Sequence, residues 1–382
     1  MKKILIGELR RQKSGFEAFI PYPFPPKGGF HFSRAIEKKN DTAIRLLGKL
    51  DGITQLLPDM DFFLLMYIRK DAASSSQIEG TKATMIDAIE AEANVNAYIP
   101  ADVDDILHYI TALNYGLERL KKFPFCLRFL KELHKELMKG ARATQFANPG
   151  EFRSSQNWVG GTRPSNAYFV PPPVADMERS LNDLEKFLYA KDDVLPLIKA
   201  GLIHAQFETI HPFLDGNGRT GRMLITFYLW RENLLEKPVL FLSSYFKKHQ
   251  KVYYDCLDKY HDGNVEEWIE FFLDGVEEIA NEAIHTVLGI TKLREQDMLK
   301  IQFLSKRSSE SAIKVLPQLY RMPIVNVAKI QKWTGFTRAG SQNLIDRFID
   351  LDILHDRDPK KTYDKSYVYK KYVDIFTGIA TK

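Results

Sequence analysis

His211–Arg222 reads HPFLDGNGRTGR, and this stretch decides the fold of the 382-residue chain. It combines an imidazole, a carboxylate, a Gly-Asn-Gly turn and two arginines, a mixture that no packing role requires. Apolar residues recur at helical spacing before it, over Leu195–Thr209, and after it, over Arg219–Trp230. The sequence therefore predicts a charged turn between two helices.

The Gly-Asn-Gly turn predicts an anion-binding site. Gly216 and Gly218 permit backbone conformations that other residues avoid, so the amides around Asn217 can point inward as a concave site. A helix beginning at about Arg219 directs its free N–H groups and its positive dipole end to the same point. Arg219 and Arg222 are three residues apart, so both lie on one helical face and can bind phosphate oxygens.

Two titratable side chains complete this prediction. Asp215 offers the hard oxygen ligand that suits the Mg²⁺ of a nucleotide di- or triphosphate. His211 carries an imidazole with an ordinary pKa near 6.5, which suits a general base that accepts a proton from an attacking hydroxyl. The plainer alternative is a polar loop between helices, with glycines at helix ends and solvated arginines.

The stretch resembles the Fic family, because it matches H-x-F-x-D/E-G-N-G-R-x-x-R at every fixed position. The resemblance implies a helical fold that transfers AMP from ATP to a Ser, Thr or Tyr hydroxyl of a target protein. It further implies that His211 is the base, that Phe213 packs the loop onto the core, and that Asp215 holds Mg²⁺. Asn217, the glycine amides and the two arginines are implied to bind the phosphates.

A second motif lies upstream, in DAASSSQIEG. Ser75 and Glu79 can share one helical face near the helix end that Gly80 marks. By itself this is a serine-rich helix end. S-x-x-x-E-G is also similar to the inhibitory helix of Fic proteins, in which the glutamate pairs with the second motif arginine, here Arg222. The resemblance implies that Glu79 denies this arginine to the γ-phosphate and keeps the enzyme at low activity.

Turn-forming residues dominate Pro149–Pro173, where Gln156–Val159 and Ala167–Val170 flank two glycines. This pattern predicts a β-hairpin. It is either a structural hairpin or, as the resemblance implies, the flap that holds the target segment as an added strand. Tyr253 and Tyr254 are either core residues or, by the same resemblance, residues at the adenine.

Helical periodicity over most of the chain predicts a mainly α protein with a Fic-type helical bundle and a small β-hairpin flap. We expect an N-terminal helical region over 1–100, with the inhibitory helix at about 70–80, and a catalytic core over 101–290. Pro21–Gly29 is too rich in proline and glycine for a helix, so we expect an extended strap or a solvated linker.

The C-terminal residues 300–382 predict a winged helix-turn-helix domain. Three helical segments, at Ser311–Tyr320, Ile324–Trp333 and Arg338–Leu351, precede two β-like pieces at 353–355 and 366–369. Residues 301–382 hold 15 Lys and Arg against 8 Asp and Glu, which places the net charge of +5 at this end. Such a domain binds DNA, or it serves as a dimerisation or protein-docking surface.

Composition excludes several classes of protein. An apolar fraction of 45% and a charged fraction of 27% are ordinary for a globular protein. Cys126 and Cys256 are too few for a disulfide framework or a structural zinc site, which fits a reducing cytoplasm. The N-terminal MKKILIGELRR is interrupted by charge and is not a secretory signal, and no apolar run is long enough to cross a membrane.

Three alternatives to an adenylyltransferase remain open from the sequence. The chain could be a DNA-binding regulator that senses nucleotide. It could transfer another group, such as UMP, phosphate or phosphocholine, or remove AMP from a modified protein. The target protein is not identified, modification of the enzyme itself is one expected activity, and a homodimer is also open.

Overall fold

The computed structural model describes residues 3–57, 59–95, 99–140, 148–363 and 365–378. The protein is mainly helical, as predicted. The helices are α1 Arg34–Thr54, α2 Met60–Ile78, α3 Met85–Ala93, α4 Val103–Leu120, α5 Leu127–Met138, α6 Val174–Tyr189, α7 Pro196–Ile210, α8 Asn217–Arg231, α9 Ser243–Lys248, α10 Gln250–His261, α11 Val265–Gln302, α12 Lys306–Arg321, α13 Val327–Thr334, α14 Arg338–Asp350 and α15 Lys370–Thr377. The strands are β1 Gly7–Arg11, β2 Glu17–Pro21, β3 Ile324–Asn326, β4 His355–Asp356 and β5 Ser366–Val368.

Two compact units make up the chain, and they are interleaved along the sequence. The first comprises Met1–Gly48, Ser74–Gly80 and Leu107–Ala280, and the second comprises Lys49–Ala73, Thr81–Ile106 and Asn281–Lys382. The predicted regions follow chain order, whereas these units do not.

Helix α7 is the centre of the first unit. It packs against α6, α8 and α10, and nearly all of its residues are buried, including His204 and Gln206. A helix that is apolar on every side is stable only when it is surrounded. The Trp268 indole closes one side by donating to the Gly201 carbonyl at 2.9 Å.

The N-terminal part of the first unit contains a hairpin that the sequence did not predict. Strands β1 and β2 pair antiparallel, and the Phe19 amide of β2 donates to the Val170 carbonyl at 2.9 Å. The following segment is the predicted strap, since Phe24 and Phe30 are buried and contact Phe187, with ring centroids 4.7 and 6.2 Å from it.

The second unit contains α12, α13, α14 and a three-stranded antiparallel sheet in the order β3, β5, β4. The prediction of one helix over Ile324–Trp333 was wrong at its start. Ile324–Asn326 forms β3 against β5, and the Asn326 side chain caps α13 by accepting the Lys329 amide at 2.9 Å. A helix cap requires an extended backbone at Asn326, so the helix begins one residue later. Helix α15 was not predicted.

Candidate active site

His211 occupies the C-cap position of α7, where its backbone is left-handed with φ of 49°. Its amide donates to the Phe207 carbonyl at 2.9 Å. Few residues other than glycine adopt this backbone conformation, so the surrounding structure must hold it. The loop then passes through Asp215 to Gly216, and α8 begins at Asn217, two residues before the predicted start.

Phe213 anchors the loop to the core, as predicted. It is fully buried and stacks on His134, with ring centroids 3.7 Å apart and planes 4° from parallel. The Asn217 side chain accepts the Phe213 amide and donates to the Phe213 carbonyl, both at 2.8 Å. The side chain of Asn217 therefore closes the loop, and its main-chain amide is the group left to meet a phosphate.

His134 is a second support that sequence reasoning missed. Its Nδ1 accepts the Gly150 amide at 2.9 Å, so its Nε2 carries the proton and donates to the Asp215 carbonyl at 3.0 Å. Burial lowers the pKa of His134 to about 4, and the ring is neutral at pH 7. A histidine on an apolar helix face gives no sequence signal that it reaches a distant loop.

Arg153 and Asn157, at the base of the predicted flap, hold the loop from the other side. The Arg153 guanidinium is buried and donates to the carbonyls of His211 at 3.0 Å and Ser155 at 3.1 Å, and Asn157 donates to the Phe213 carbonyl at 2.8 Å. Burial lowers the pKa of Arg153 to about 10, so it stays charged at neutral pH. Sequence reasoning missed both residues, because the composition around them indicated only turns.

The flap itself is smaller than predicted. Between its two segments the structure forms one antiparallel bridge, at Val159 and Phe169, with the Val159 amide donating to the Phe169 carbonyl at 2.8 Å. Trp158 and Tyr168 remain exposed beside it.

The two glycines of the turn have different roles. Gly216 is left-handed, with φ of 76°, as predicted. The same prediction for Gly218 was wrong, because Gly218 lies inside α8 and its φ is not positive. Position 218 has no space for a larger side chain, because a Cβ there would stand 2.3 Å from Glu79 Oε1 and 2.9 Å from Arg222 Nη1.

The predicted anion-binding site corresponds to the amides that begin α8, and this role remains a prediction. The first hydrogen bond of the helix runs from the Thr220 amide to the Gly216 carbonyl at 3.0 Å. The main-chain N–H groups of residues 217–219 precede this bond, so the helix itself provides no acceptors for them. They mark the positive end of the helix dipole, beside His211.

Arg222 is held by α2 and the residue that follows it. Its Nε donates to Ser75 Oγ at 2.8 Å, and its Nη2 donates to the Ser75 carbonyl at 3.0 Å and to Glu79 Oε1 at 2.6 Å. Burial alone would raise the pKa of Glu79, but the Arg222 guanidinium outweighs it and lowers that pKa. Gly80, with φ of 97°, follows Glu79 and is the second residue after the helix.

Arg219 points elsewhere. Its side chain is almost buried, and its Nη2 lies 3.7 Å from both Met138 Sδ and Asp215 Oδ2. The two arginine side chains therefore do not reach the same place. Of the two, only Arg222 lines the cavity that His211 borders.

Two family models match this chain. The "Fic/DOC family" model matches residues 124–229, and the "Fic/DOC family N-terminal" model matches residues 37–118. The chain belongs to the Fic/DOC family.

Relatives of this Fic chain are distant. "Protein adenylyltransferase Fic" of Aedes aegypti is 36% identical over 130 residues, which is 34% of this chain and 23% of that protein. The protein of the same name from Drosophila erecta is 27% identical over 270 residues, 69% of this chain and 49% of that protein. The Fic chain thus spans 23% of the length of the first relative and 49% of the second.

A solved structure supports the fold. A Fic family protein from Desulfovibrio desulfuricans G20 superposes with a TM-score of 0.58 at 18% identity, covering 89% of this chain and 97% of that one. At this identity the likeness concerns the fold alone.

The Fic loop borders a cavity of about 610 Å³. His211, the amide-bearing residues 216–218, Arg222 and Glu79 line it on one side, and Tyr253 and Tyr254 line it on another. Tyr253 is buried, and its hydroxyl is 2.8 Å from His204 Nε2, whereas Tyr254 is 37% exposed. Tyr254 is therefore the better placed of the two for an adenine ring, and this role remains a prediction.

Asp215 fits the single-carboxylate mode in which proteins hold Mg²⁺ together with phosphate oxygens. Its side chain is 44% exposed, and Oδ1 accepts the Gly216 amide at 2.6 Å. In the described part of the chain, no group of three or more His, Cys, Asp and Glu could hold a metal by itself. A metal at Asp215 therefore requires phosphate oxygens from a nucleotide.

No helix among the described residues has an apolar stretch long enough to cross a membrane.

Proposed function

We propose that this Fic chain is a protein adenylyltransferase that transfers AMP from ATP to a Ser, Thr or Tyr hydroxyl. The observation that carries the proposal is one cavity lined by the neutral His211 imidazole, the N-terminal amides of α8 and Arg222. A base and an anion site side by side suit attack of a hydroxyl on a phosphate.

His211 takes the proton. Burial lowers its pKa to about 4, so the imidazole is neutral at pH 7. Nδ1 lies 3.3 Å from the Glu208 carbonyl, which favours a proton on Nδ1 and a lone pair on Nε2. The target oxygen forms a bond to the α-phosphorus, its proton moves to His211 Nε2, and the bond to the β-phosphate oxygen breaks.

The remaining groups stabilise the phosphates. The amides of residues 217–219 face the charge that develops on the transferred phosphoryl group, and Arg222 binds the leaving pyrophosphate. Asp215 would hold a Mg²⁺ ion together with phosphate oxygens, and this ion would supply charge neutralisation for the pyrophosphate. The protein's share of catalysis is positioning and electrostatics.

Glu79 holds the enzyme in a low-activity state. It occupies the guanidinium that the γ-phosphate requires, and Ser75 accepts a further hydrogen bond from the same guanidinium. A nucleotide that cannot engage Arg222 binds without the alignment that transfer needs.

The test is transfer from α-labelled ATP in a cell extract. Glu79→Gly is expected to raise labelling by a factor on the order of a hundred or more, the usual scale for a lost alignment. His211→Ala in the same background is expected to abolish it while the circular dichroism spectrum stays unchanged. Equal labelling with and without His211 would refute the mechanism.

Transfer of another group, or removal of AMP, is the second candidate within the same site. The Glu79–Arg222 contact favours a nucleoside triphosphate, because a blocked guanidinium matters only if a γ-phosphate normally binds there. Parallel assays with α-labelled ATP, GTP, CTP and UTP, and with an AMP-modified protein, discriminate between these reactions.

A DNA-binding regulator is the candidate of another class. In the second unit, α13 ends at the left-handed Gly335, α14 follows, and an antiparallel pair, β4 and β5, encloses the exposed Lys360 and Lys361. This order matches a winged helix-turn-helix. Gel shifts of the full chain at two salt concentrations test it, since specific binding persists where phosphate attraction alone fades. A homodimer is tested by light scattering over a dilution series.

A further inference from the structure

Glu208 is a carboxyl inside the cavity that the proposed reaction does not use. It lies in the last turn of α7, its side chain is 12% exposed, and it lines the same cavity as His211. Its Oε1 is buried without a hydrogen-bond partner among the described residues. A buried carboxyl without a partner destabilises the fold, so a functional reason for its presence is worth testing.

Two oxygens of Glu208, one from the main chain and one from the carboxyl, lie near the same nitrogen of the His211 ring, Nδ1. The main-chain oxygen of Glu208 is 3.3 Å from His211 Nδ1, and the side-chain Oε2 is 3.8 Å from it. The first contact is long for a hydrogen bond and the second is just outside the range. Such contacts at catalytic groups commonly shorten when substrate binds.

Helix α8 limits where the Glu208 carboxyl can go. A Cβ at Gly221 would stand 2.3 Å from Glu208 Oε1, so the carboxyl lies directly against the helix. The helix cannot withdraw easily, because the Gly221 carbonyl is 2.9 Å from His204 Nδ1. Gly221 thus gives the Glu208 carboxyl the space that it occupies beside His211.

The charges around Glu208 come from three other elements. Arg222 of α8 faces it, Glu79 approaches from the end of α2, and Tyr253 of α10 lies nearby. Burial raises the pKa of Glu208 to about 8, Arg222 opposes this rise, and Glu79 adds to it. Beside the dominant effect of burial, Arg153 lowers the pKa of His211 and Asp215 raises it.

We infer that Glu208 is a positioning residue for His211: its side-chain carboxyl accepts the Nδ1–H of the imidazole and leaves Nε2 free to take the target proton. The inference rests on the proposed function of His211 as the base. A neutral carboxyl accepts through its carbonyl oxygen. An ionised one accepts more strongly and stabilises the imidazolium that forms during transfer.

The first test is ¹⁵N NMR of the His211 ring in the Glu79→Gly protein, with the signal assigned by its loss in His211→Ala. We expect the Nδ1–H tautomer and an inflection as Glu208 ionises, at a lower pH than in the parent because Glu79 no longer raises the Glu208 pKa. Glu208→Gln should keep the tautomer and lose this inflection. Glu208→Leu, which keeps the main-chain carbonyl but loses the carboxyl, should lower the share of the Nδ1–H tautomer. Identical ring signals in the three proteins would overturn the inference.

The second test is the pH dependence of AMP transfer. Between pH 6.5 and 9, the rate ratio of Glu79→Gly to Glu79→Gly/Glu208→Gln should increase by about three- to tenfold, the effect of up to one pKa unit in base strength. If the substitution changed only the dissociation constant for ATP, Glu208 would act through Arg222 and not through His211, and the inference would be overturned. Because NMR requires no transfer, absent labelling with the expected ring signals would refute the proposed function alone.

Discussion

At the scale of single residues, Arg222 donates through Nε and Nη2 to two residues whose roles differ. Glu79 neutralises its charge, whereas Ser75 provides a hydroxyl at 2.8 Å and a carbonyl at 3.0 Å. A guanidinium has its N–H donors in a fixed planar arrangement, so the acceptors must be placed to match that arrangement. The charge pair and the serine therefore contribute separately to the resting state.

Ser75→Ala tests the serine. It removes the acceptor of Arg222 Nε and leaves Glu79 in place, so we expect a partial release, with AMP labelling about tenfold higher, the effect of a hydrogen bond to a charged group. The measurement is initial labelling from α-labelled ATP. Ser74→Ala, a neighbour whose hydroxyl is not among the partners found for Arg222, is the matched control. Equal rates for both variants would contradict the role of Ser75.

Glu208 gives a second prediction at this scale, in stability. The folded pKa of about 8 is above the ordinary value of 4.5, so the protonated form is favoured by the fold, and its stabilising effect is lost as pH rises from about 4.5 through 8. Glu208→Gln does not titrate. Relative to the parent, we expect it to gain about 2–4 kcal/mol in unfolding free energy between pH 5 and 9. Urea unfolding at both pH values measures this, and a constant difference would contradict it.

At the scale of elements, the base of the predicted flap and the loop from His211 to Gly216 form one hydrogen-bonded structure. Arg153 and Asn157 both bond to loop carbonyls, and the Arg153 amide donates to the Pro212 carbonyl at 2.9 Å. A target that pairs with the flap would therefore be placed relative to His211 by rigid contacts.

Arg153→Gln tests this connection. It leaves several buried carbonyls without donors and allows His211 to move, so we expect transfer in the Glu79→Gly background to fall by about a hundredfold and stability by about 3 kcal/mol. Labelling and urea unfolding measure the two effects. Arg128→Gln, which removes an exposed arginine from a surface ion pair with Glu132, should change both little. Unchanged transfer in a less stable protein would confine Arg153 to a structural role.

At the scale of the whole molecule, the first unit buries several neutral histidines. Burial lowers the pKa of His134 and His211 to about 4 and that of His204 and His261 to about 3. Each folded pKa lies below the ordinary value of 6.5. The stability that these rings contribute is therefore complete above pH 6.5 and is lost as pH falls through the folded values.

We expect the unfolding free energy to fall below pH 6.5 by about 1.4 kcal/mol per pH unit for each such histidine. Urea unfolding at a series of pH values from 7 to 4.5 measures the slope. His261→Gln removes one of these four rings, the one that lies between Phe19 and Phe169. It should reduce the slope by about 1.4 kcal/mol per pH unit, the contribution of one histidine. A slope that does not depend on His261 would mean that this ring does not take up a proton on unfolding.

Part of this protein could be predicted because its signals are local. The spacing of apolar residues predicted most helices, and α5 was predicted with its observed limits. Because the motif HPFLDGNGRTGR is contiguous, its residue types alone indicated the turn, the base and the anion site. The pairing of Glu79 with Arg222 was also predicted, from a resemblance between short motifs, and the structure brings these side chains together.

Other features depend on distances that the sequence does not contain. His134, Arg153, Asn157 and Glu208 reach the loop from separate elements, and nothing in their own neighbourhoods distinguishes them from ordinary helix and turn residues. Gly218 is another example. The sequence predicted that a glycine is needed at this position for its backbone conformation, but the structure shows that it is needed because Glu79 approaches too closely for a side chain. The sequence determined which chemical groups are present. Tertiary packing decided which of them are buried, neutral and in contact, because burial and charge proximity arise only when distant segments meet.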